Sequence, residues 1–154
     1  MKDKTGKQFV DTNILVYAHD ISSGEKHKKA KKLVTELWNT REGCLSIQVL
    51  QELYVTLVKK VAAPLESEVA VSIIKDLGQW SIHIPGVDDL LEALNIQKRY
   101  NLSFWDAMII CSARQMNCSI LWSEDLKAGT IYQILLTCLY NAYSFQNLLL
   151  PEHH

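Results

Sequence analysis

The sequence predicts an α/β fold, a three-layer α/β/α sandwich around a mainly parallel central sheet, and three observations carry that prediction. Short apolar runs alternate along the chain with longer segments of helical periodicity. No hairpin signal joins consecutive runs, so right-handed crossovers are expected to link parallel strands covered on both faces. Two of the runs, Phe9-Val10 and Cys118 to Trp122, lead directly into acidic and turn-prone residues, Asp11-Thr12-Asn13 and Ser123-Glu124-Asp125. Carboxylates would thus gather at the carboxyl edge of the sheet, where ligands of open α/β sheets bind.

The 154 residues, 48% apolar and 21% charged, suffice for one domain spanning residues 1–154 with a real core. No run of 18 apolar residues occurs, and Met1 to Gln8 leads into only a short apolar run. A cytoplasmic protein without a membrane partner is expected. Cys44, Cys111, Cys118 and Cys138 lack a C-x-x-C spacing, and the histidines are scattered, which favours reduced core thiols over a zinc site or disulfide frame. Net charge is −1, which argues against general polyanion binding, yet Lys26, Lys28, Lys29, Lys31 and Lys32 crowd one segment. A solvated helix face is the plain reading of that cluster, and a phosphate-contacting edge the sharper one.

In chain order, a first strand at Phe9-Val10 feeds a short apolar helix, Ile14 to Ala18. Ser22 to Glu25 has the spacing of a capping box, and Ala30, Leu33, Val34, Leu37 and Trp38 then form one helical stripe closed by Arg41-Glu42-Gly43. Cys44 to Ile47 reads as a short strand, and Gln48 to Val61 as a helix with Leu50, Leu53, Tyr54, Leu57 and Val61 on its apolar face. Pro64, Glu66 and Glu68 open another helix that runs to Gly78, and Trp80 to Ile84 alternates as a strand stopped by Pro85-Gly86. Val87 to Tyr100 is helical with Asp88 and Asp89 as caps, and after a break at Asn101-Leu102 a buried helix begins at Ser103. Cys118 to Trp122 is the last clear buried strand.

Several acids admit two readings. Asp11 or Asn13 can cap the first short helix as readily as bind a ligand. Glu52 falls nearly opposite the apolar stripe of its helix, which makes it a solvated glutamate, although Val49, Val55 and Thr56 flank it. Asp106 has the spacing of the N3 residue of a capping box with Ser103, and a carboxylate at the mouth of a buried helix can also face a ligand.

Taken together, these segments resemble PIN domains, and most closely VapC-type toxin ribonucleases. The resemblance extends over about residues 8–128 and rests on Phe9-Val10-Asp11-Thr12-Asn13-Ile14-Leu15-Val16-Tyr17-Ala18, Gln51-Glu52-Leu53, Leu102-Ser103-Phe104-Trp105-Asp106-Ala107 and Leu121-Trp122-Ser123-Glu124-Asp125-Leu126. It implies an acidic quartet of Asp11, Glu52, Asp106 and Asp125, with Asn13 and Ser123 as polar supports and Glu124 as a minor alternative to Asp125. Converging carboxylates raise one another's pKa unless a cation neutralises them, and hard divalent ions prefer oxygen donors. The implied activity is therefore Mg²⁺- or Mn²⁺-dependent hydrolysis of RNA, with Asp11, Asp106 and Asp125 on the metal and Glu52 on the metal or the attacking water. The resemblance also implies a cognate antitoxin and a second copy of the chain as partners.

Residues 130–154 depart from the family pattern, being nearly uncharged and very apolar. They read as a modified last strand, an oligomer contact or a product of altered reading frame or cloning, with Glu152-His153-His154 as a tag remnant. Among rival readings, a haloacid-dehalogenase-like phosphatase wants a second aspartate where Asn13 stands, and a receiver-like module wants paired acids at the first strand. A housekeeping RNA-processing nuclease and a catalytically silent interaction module share the expected fold.

Overall fold

The computed structural model describes the backbone of residues 6–125, 130–135 and 149–151, and the side chains of residues 6–124. Four parallel strands form the centre: β1 (Gln8–Val10), β2 (Gly43–Ser46), β3 (Ser81–His83) and β4 (Ile120–Asp125). Two antiparallel strands, β5 (Thr130–Leu135) and β6 (Leu149–Pro151), extend the sheet beyond β4, so the order is β3-β2-β1-β4-β5-β6. The helices are α1 (Thr12–His19), α2 (Glu25–Thr40), α3 (Ile47–Lys59), α4 (Ser67–Leu77), α5 (Val87–Tyr100) and α6 (Phe104–Gln115). One group packs in succession, α1 on α2 and α3, and α3 on α4, while α5 packs on α6, which itself reaches β2 and β4. The result is the expected sheet flanked by helices.

The earliest strand is the most enclosed. β1 lies between β2 and β4, pairing Phe9 with Cys44 and Leu121, and both Phe9 and Val10 are fully buried. Such a strand reads as a continuous apolar run because helices cover both its faces. Around it, Ile14 and Leu15 from α1, Leu53 and Leu57 from α3, and Ile110 from α6 close the core. Each of these large side chains contributes about 1.5–3 kcal/mol by leaving water. Cys44, Cys111 and Cys118 are buried free thiols, as expected, while Cys138 lies outside the described residues. No helix among the described residues is long and apolar enough to cross a membrane.

Two local expectations need correction, at the start of α2 and in β3. The Ser22–Glu25 capping box does not form: Asp20 accepts the Ser22 N–H at 3.1 Å and its hydroxyl at 2.5 Å, making a 3-10 turn over Ile21–Ser23. Glycine 24, at φ 62°, is then the residue before α2 and carries no side chain to cap it. Helix α2 ends on left-handed Arg41 (φ 60°), the first of the three residues expected to close it. Gly43 belongs to β2, where a Cβ would come within 2.5 Å of the Trp80 ring. Finally, β3 does not alternate between core and solvent, since Ser81 is exposed and Ile82 and His83 are both half-buried. The apolar tail supplies β5 and β6, and the remainder of residues 130–154 lies outside the described residues.

Candidate active site

Because β1 to β4 are parallel, the first residue after β1 faces the last residues of β4 across one sheet edge. The Asp11 N–H donates to the Trp122 carbonyl at 2.9 Å, which extends the β1–β4 ladder by one residue and fixes where Asp11 emerges. Its carboxylate then does two things. Oδ1 accepts the Thr12 N–H at 2.7 Å, capping α1, and Oδ2 accepts the Ser123 hydroxyl at 2.9 Å. Capping and a position at the sheet edge therefore coincide in Asp11, and Ser123 holds its second oxygen.

Burial raises the Asp11 carboxyl from 3.8 to about 6, against the lowering effect of those two hydrogen bonds, and the nearby acids Asp106 and Glu52 push it up further. The charged groups that act on it are thus both acidic. Glu52 stands in front of α1, where its Oε2 accepts the Thr12 hydroxyl at 3.0 Å while Oε1 accepts from Gln48 Nε2 at 3.0 Å. Glu52 is exposed, as the periodicity of α3 predicts, and it is also part of the acidic group. Of the residues flanking it on α3, Val55 is 41% exposed, Thr56 half-buried and Val49 fully buried, so that side is covered in part.

Asp106 sits in the first turn of α6. Ser103 caps that helix by accepting the Asp106 N–H at 3.1 Å, and the exposed Asp106 carboxylate lies close enough to Asp11 to act on it. Asn13 is half-buried in the first turn of α1, and its side chain makes no hydrogen bond to another described residue. The backbone of Asp125 ends β4, two residues beyond Ser123, and its side chain lies outside the described residues. Two residues that sequence reasoning missed organise Glu52. Gln48 was visible as its i−4 neighbour on α3. Thr12 had no signal beyond its place beside Asp11.

Glu124 has a separate task. Its side chain is 5% exposed, its Oε1 accepts from Lys26 Nζ at 2.7 Å, and its Oε2 accepts the Tyr17 hydroxyl. The Lys26 ammonium also lies 5.0 Å from the centre of the Tyr17 ring. One buried carboxylate thereby joins β4 to α1 and α2, and it is already neutralised. A further polar array joins β3, α5 and α6, where His83 Nδ1 shares a hydrogen bond of 2.9 Å with Ser112 Oγ and His83 Nε2 lies 3.5 Å from Asp89. Ser112 is 1% exposed, so this array is a structural tie and not a nucleophile.

The donors around Asp11 are all oxygens and carry uncompensated negative charge, which suits a hard divalent cation and not a soft metal. Among the described residues no three His, Cys, Asp or Glu side chains lie close enough together to hold a metal ion. Mg²⁺ usually takes only one or two carboxylates directly and fills its remaining positions with water and phosphate oxygens, so an open donor set is compatible with it.

Comparison with known proteins agrees with this architecture. The profile of the PIN domain family matches residues 9–132. A crystal structure of VapC20 from Mycobacterium tuberculosis, described as a toxin that cleaves the sarcin-ricin loop, superposes with a TM-score of 0.61 at 20% identity, covering 78% of this chain and 91% of that one. A toxin–antitoxin complex from Klebsiella pneumoniae gives 0.60 at 22% identity, covering 79% of this chain and 88% of that one. At such identities the likeness is one of fold. No curated protein matches the sequence at a significant level.

Proposed function

The chain belongs to the PIN domain family, and from that premise we propose that it is a divalent-metal-dependent endoribonuclease, the toxin of a toxin–antitoxin pair. The observation that carries the reading is Asp11, a largely enclosed carboxylate raised to about 6 whose charged neighbours are the acids Asp106 and Glu52. Keeping like charges together at a sheet edge costs stability, and the cost has a use when a cation and a phosphate complete the site.

In this reading Asp11, Asp106 and Asp125 hold Mg²⁺ or Mn²⁺, the last from the backbone position that ends β4. When bound, such an ion lowers the pKa of an attached water and polarises the scissile phosphate. The remaining work belongs to the chain. Glu52, aimed by Thr12 and Gln48, orients the attacking water and accepts its proton. Ser123 keeps the Asp11 carboxylate turned toward the edge. The lysines of α2 are consistent with an RNA backbone passing nearby, since Lys26 is anchored beside Ser123 through Glu124, and Lys28, Lys31 and Lys32 are exposed along the same helix. A cognate antitoxin and a second copy of the chain complete the list of partners, the former supported by the toxin–antitoxin complex among the structural relatives. The cytoplasm is the proposed location.

The test is a thermal melt of the wild type and Asp106→Asn with Mn²⁺ titrated against EDTA, followed by an RNA cleavage assay. A ligand that binds only the native state must raise its stability, so the wild type should show a saturable rise that weakens in the variant. Metal-dependent cleavage should disappear with it. Cleavage that survives in Asp106→Asn would overturn the assignment, and a wild type neither stabilised by metal nor able to cleave RNA would be a silent interaction module.

A further inference from the structure

We propose that Trp105 is a base-stacking platform of this site, holding the base of a nucleotide beside the phosphate that reacts; the inference rests on the nuclease reading above. Trp105 is 61% exposed, an unusual state for the side chain with the largest apolar area. It is not a loose surface ring. Phe104 packs its edge against it, with centroids 4.9 Å apart and planes at 77°, and Phe104 itself is half-buried against the core. The indole is thereby restrained in the first turn of α6, one residue before Asp106, whose carboxylate acts directly on Asp11.

What covers the ring follows from its neighbours. An apolar protein surface laid over Trp105 would also take the adjacent Asp106 carboxylate out of water, and burying an unpaired charge is costly. A nucleotide avoids that cost, because its base needs only the π-face while its phosphate, with the accompanying cation, faces the acids. Stacking tolerates any base and supplies affinity in a site whose own charge repels a polyanion. The other exposed apolar side chains nearby belong to a different helix. Val87, Leu90, Leu91 and Leu94 are on α5 and not on the acidic turn of α6, and Val87 opens that 14-residue helix, about 20 Å from the Asn101 loop that leads into Trp105. A stacked base must be unpaired, so Trp105 would favour nucleotides splayed out of a helix.

The experiment uses the full chain with Ca²⁺ in place of Mg²⁺ or Mn²⁺ and a single-stranded RNA carrying 2-aminopurine, whose fluorescence falls on stacking. Wild type, Trp105→Phe, Trp105→Ala and the control Leu91→Ala are compared for Kd and quenching, and then for kcat and KM with Mn²⁺. Trp105→Ala is expected to weaken binding and raise KM about tenfold, to lose the quenching, and to change kcat less. Trp105→Phe should keep most of both, and Leu91→Ala should match the wild type. Trp105→Ala gives up its edge contact with Phe104 and should melt slightly lower, so binding and kinetics are compared at a temperature where all four proteins are folded, which separates the effect from misfolding. Equal Kd and quenching in wild type and Trp105→Ala overturn the proposal while leaving the nuclease intact. So does a Trp105→Ala protein whose RNA binding is unchanged but whose mass by light scattering falls, since the ring would then belong to a protein contact. A wild type that neither binds nor cleaves RNA overturns the nuclease reading and this inference together.

Discussion

Asp11 and Glu124 are carboxylates at the carboxyl ends of neighbouring strands, β1 and β4, and both are largely withdrawn from water, yet their surroundings are opposite. Glu124 meets Lys26 at 2.7 Å and the Tyr17 hydroxyl, so its charge is balanced within the chain. Asp11 receives a backbone N–H and a serine hydroxyl, and the charges nearest it are of its own sign. A buried acid that serves the fold is given its counter-ion by the sequence. One held ready for a ligand is given hydrogen bonds that orient it and is left electrically incomplete. The contrast sets Glu124 apart from Asp11: its carboxylate is already engaged by Lys26 and Tyr17.

The comparison breaks most visibly in activity. Asp11→Asn should lose more than about a hundredfold in metal-dependent RNA cleavage, the scale seen when even the supports of a metal site are removed. Glu124→Gln, measured in the same assay at a temperature where it is folded, should retain most of its turnover. A Glu124→Gln protein as inactive as Asp11→Asn and equally stable would dissolve the distinction.

Stability should show the reverse order. Lys26→Met leaves Glu124 buried without its cation and is expected to cost about 1–3 kcal/mol in urea unfolding, less than a fully enclosed pair because Lys26 is partly exposed. Asp11→Asn in EDTA should be as stable as the wild type or more so at pH 7, since asparagine still caps α1 and removes the repulsion. An outright loss in that variant would mean that capping is all Asp11 does.

A pH series sharpens the same point. The folded-state value of Asp11, about 6, lies above its unfolded value of 3.8, so the native protein binds the extra proton between them. Stability from this group is therefore lost as pH rises from about 4 to about 6, and the cost is complete above that, amounting to about 2–3 kcal/mol. The difference between Asp11→Asn and the metal-free wild type should follow that window and vanish below about pH 4. Saturating Mn²⁺ should abolish it. Smallest of all, Ser123→Ala should cost about 0.5–1.5 kcal/mol and raise the Mn²⁺ concentration needed for half-maximal stabilisation.

How far the chain could be read in advance depended on whether one interaction or several decided an element. The parallel centre was legible because Phe9-Val10 and Ile120-Leu121 are apolar runs buried on both faces, a pattern with few alternatives. The start of α2 was not, because Asp20 competed for Ser22 and won, and a capping box is recognised from spacing alone. The need for a glycine at position 43 was not legible either, because its reason is Trp80, 37 residues away. Glu52 shows a different limit. Its helical periodicity placed it in solvent, and it is in solvent, yet its carboxylate also reaches Thr12 beside Asp11. Periodicity reports exposure and says nothing of which other acids stand nearby. The antiparallel β5, by contrast, arose from the apolar tail without a hairpin signal ahead of it.

The position of β1 sets a clock on synthesis. Asp11 and Ser123, which clasp one another across the sheet edge, are 112 residues apart in the chain. At about 5–20 residues per second, ribosomes need about 6–22 s to add that stretch. Throughout that interval the first strand lacks one of its two neighbours, so the acidic edge cannot close until β4 has been made. In a nascent chain of this topology Asp11 waits for its Ser123 partner, and the edge takes its final form only after the last parallel strand has joined the sheet.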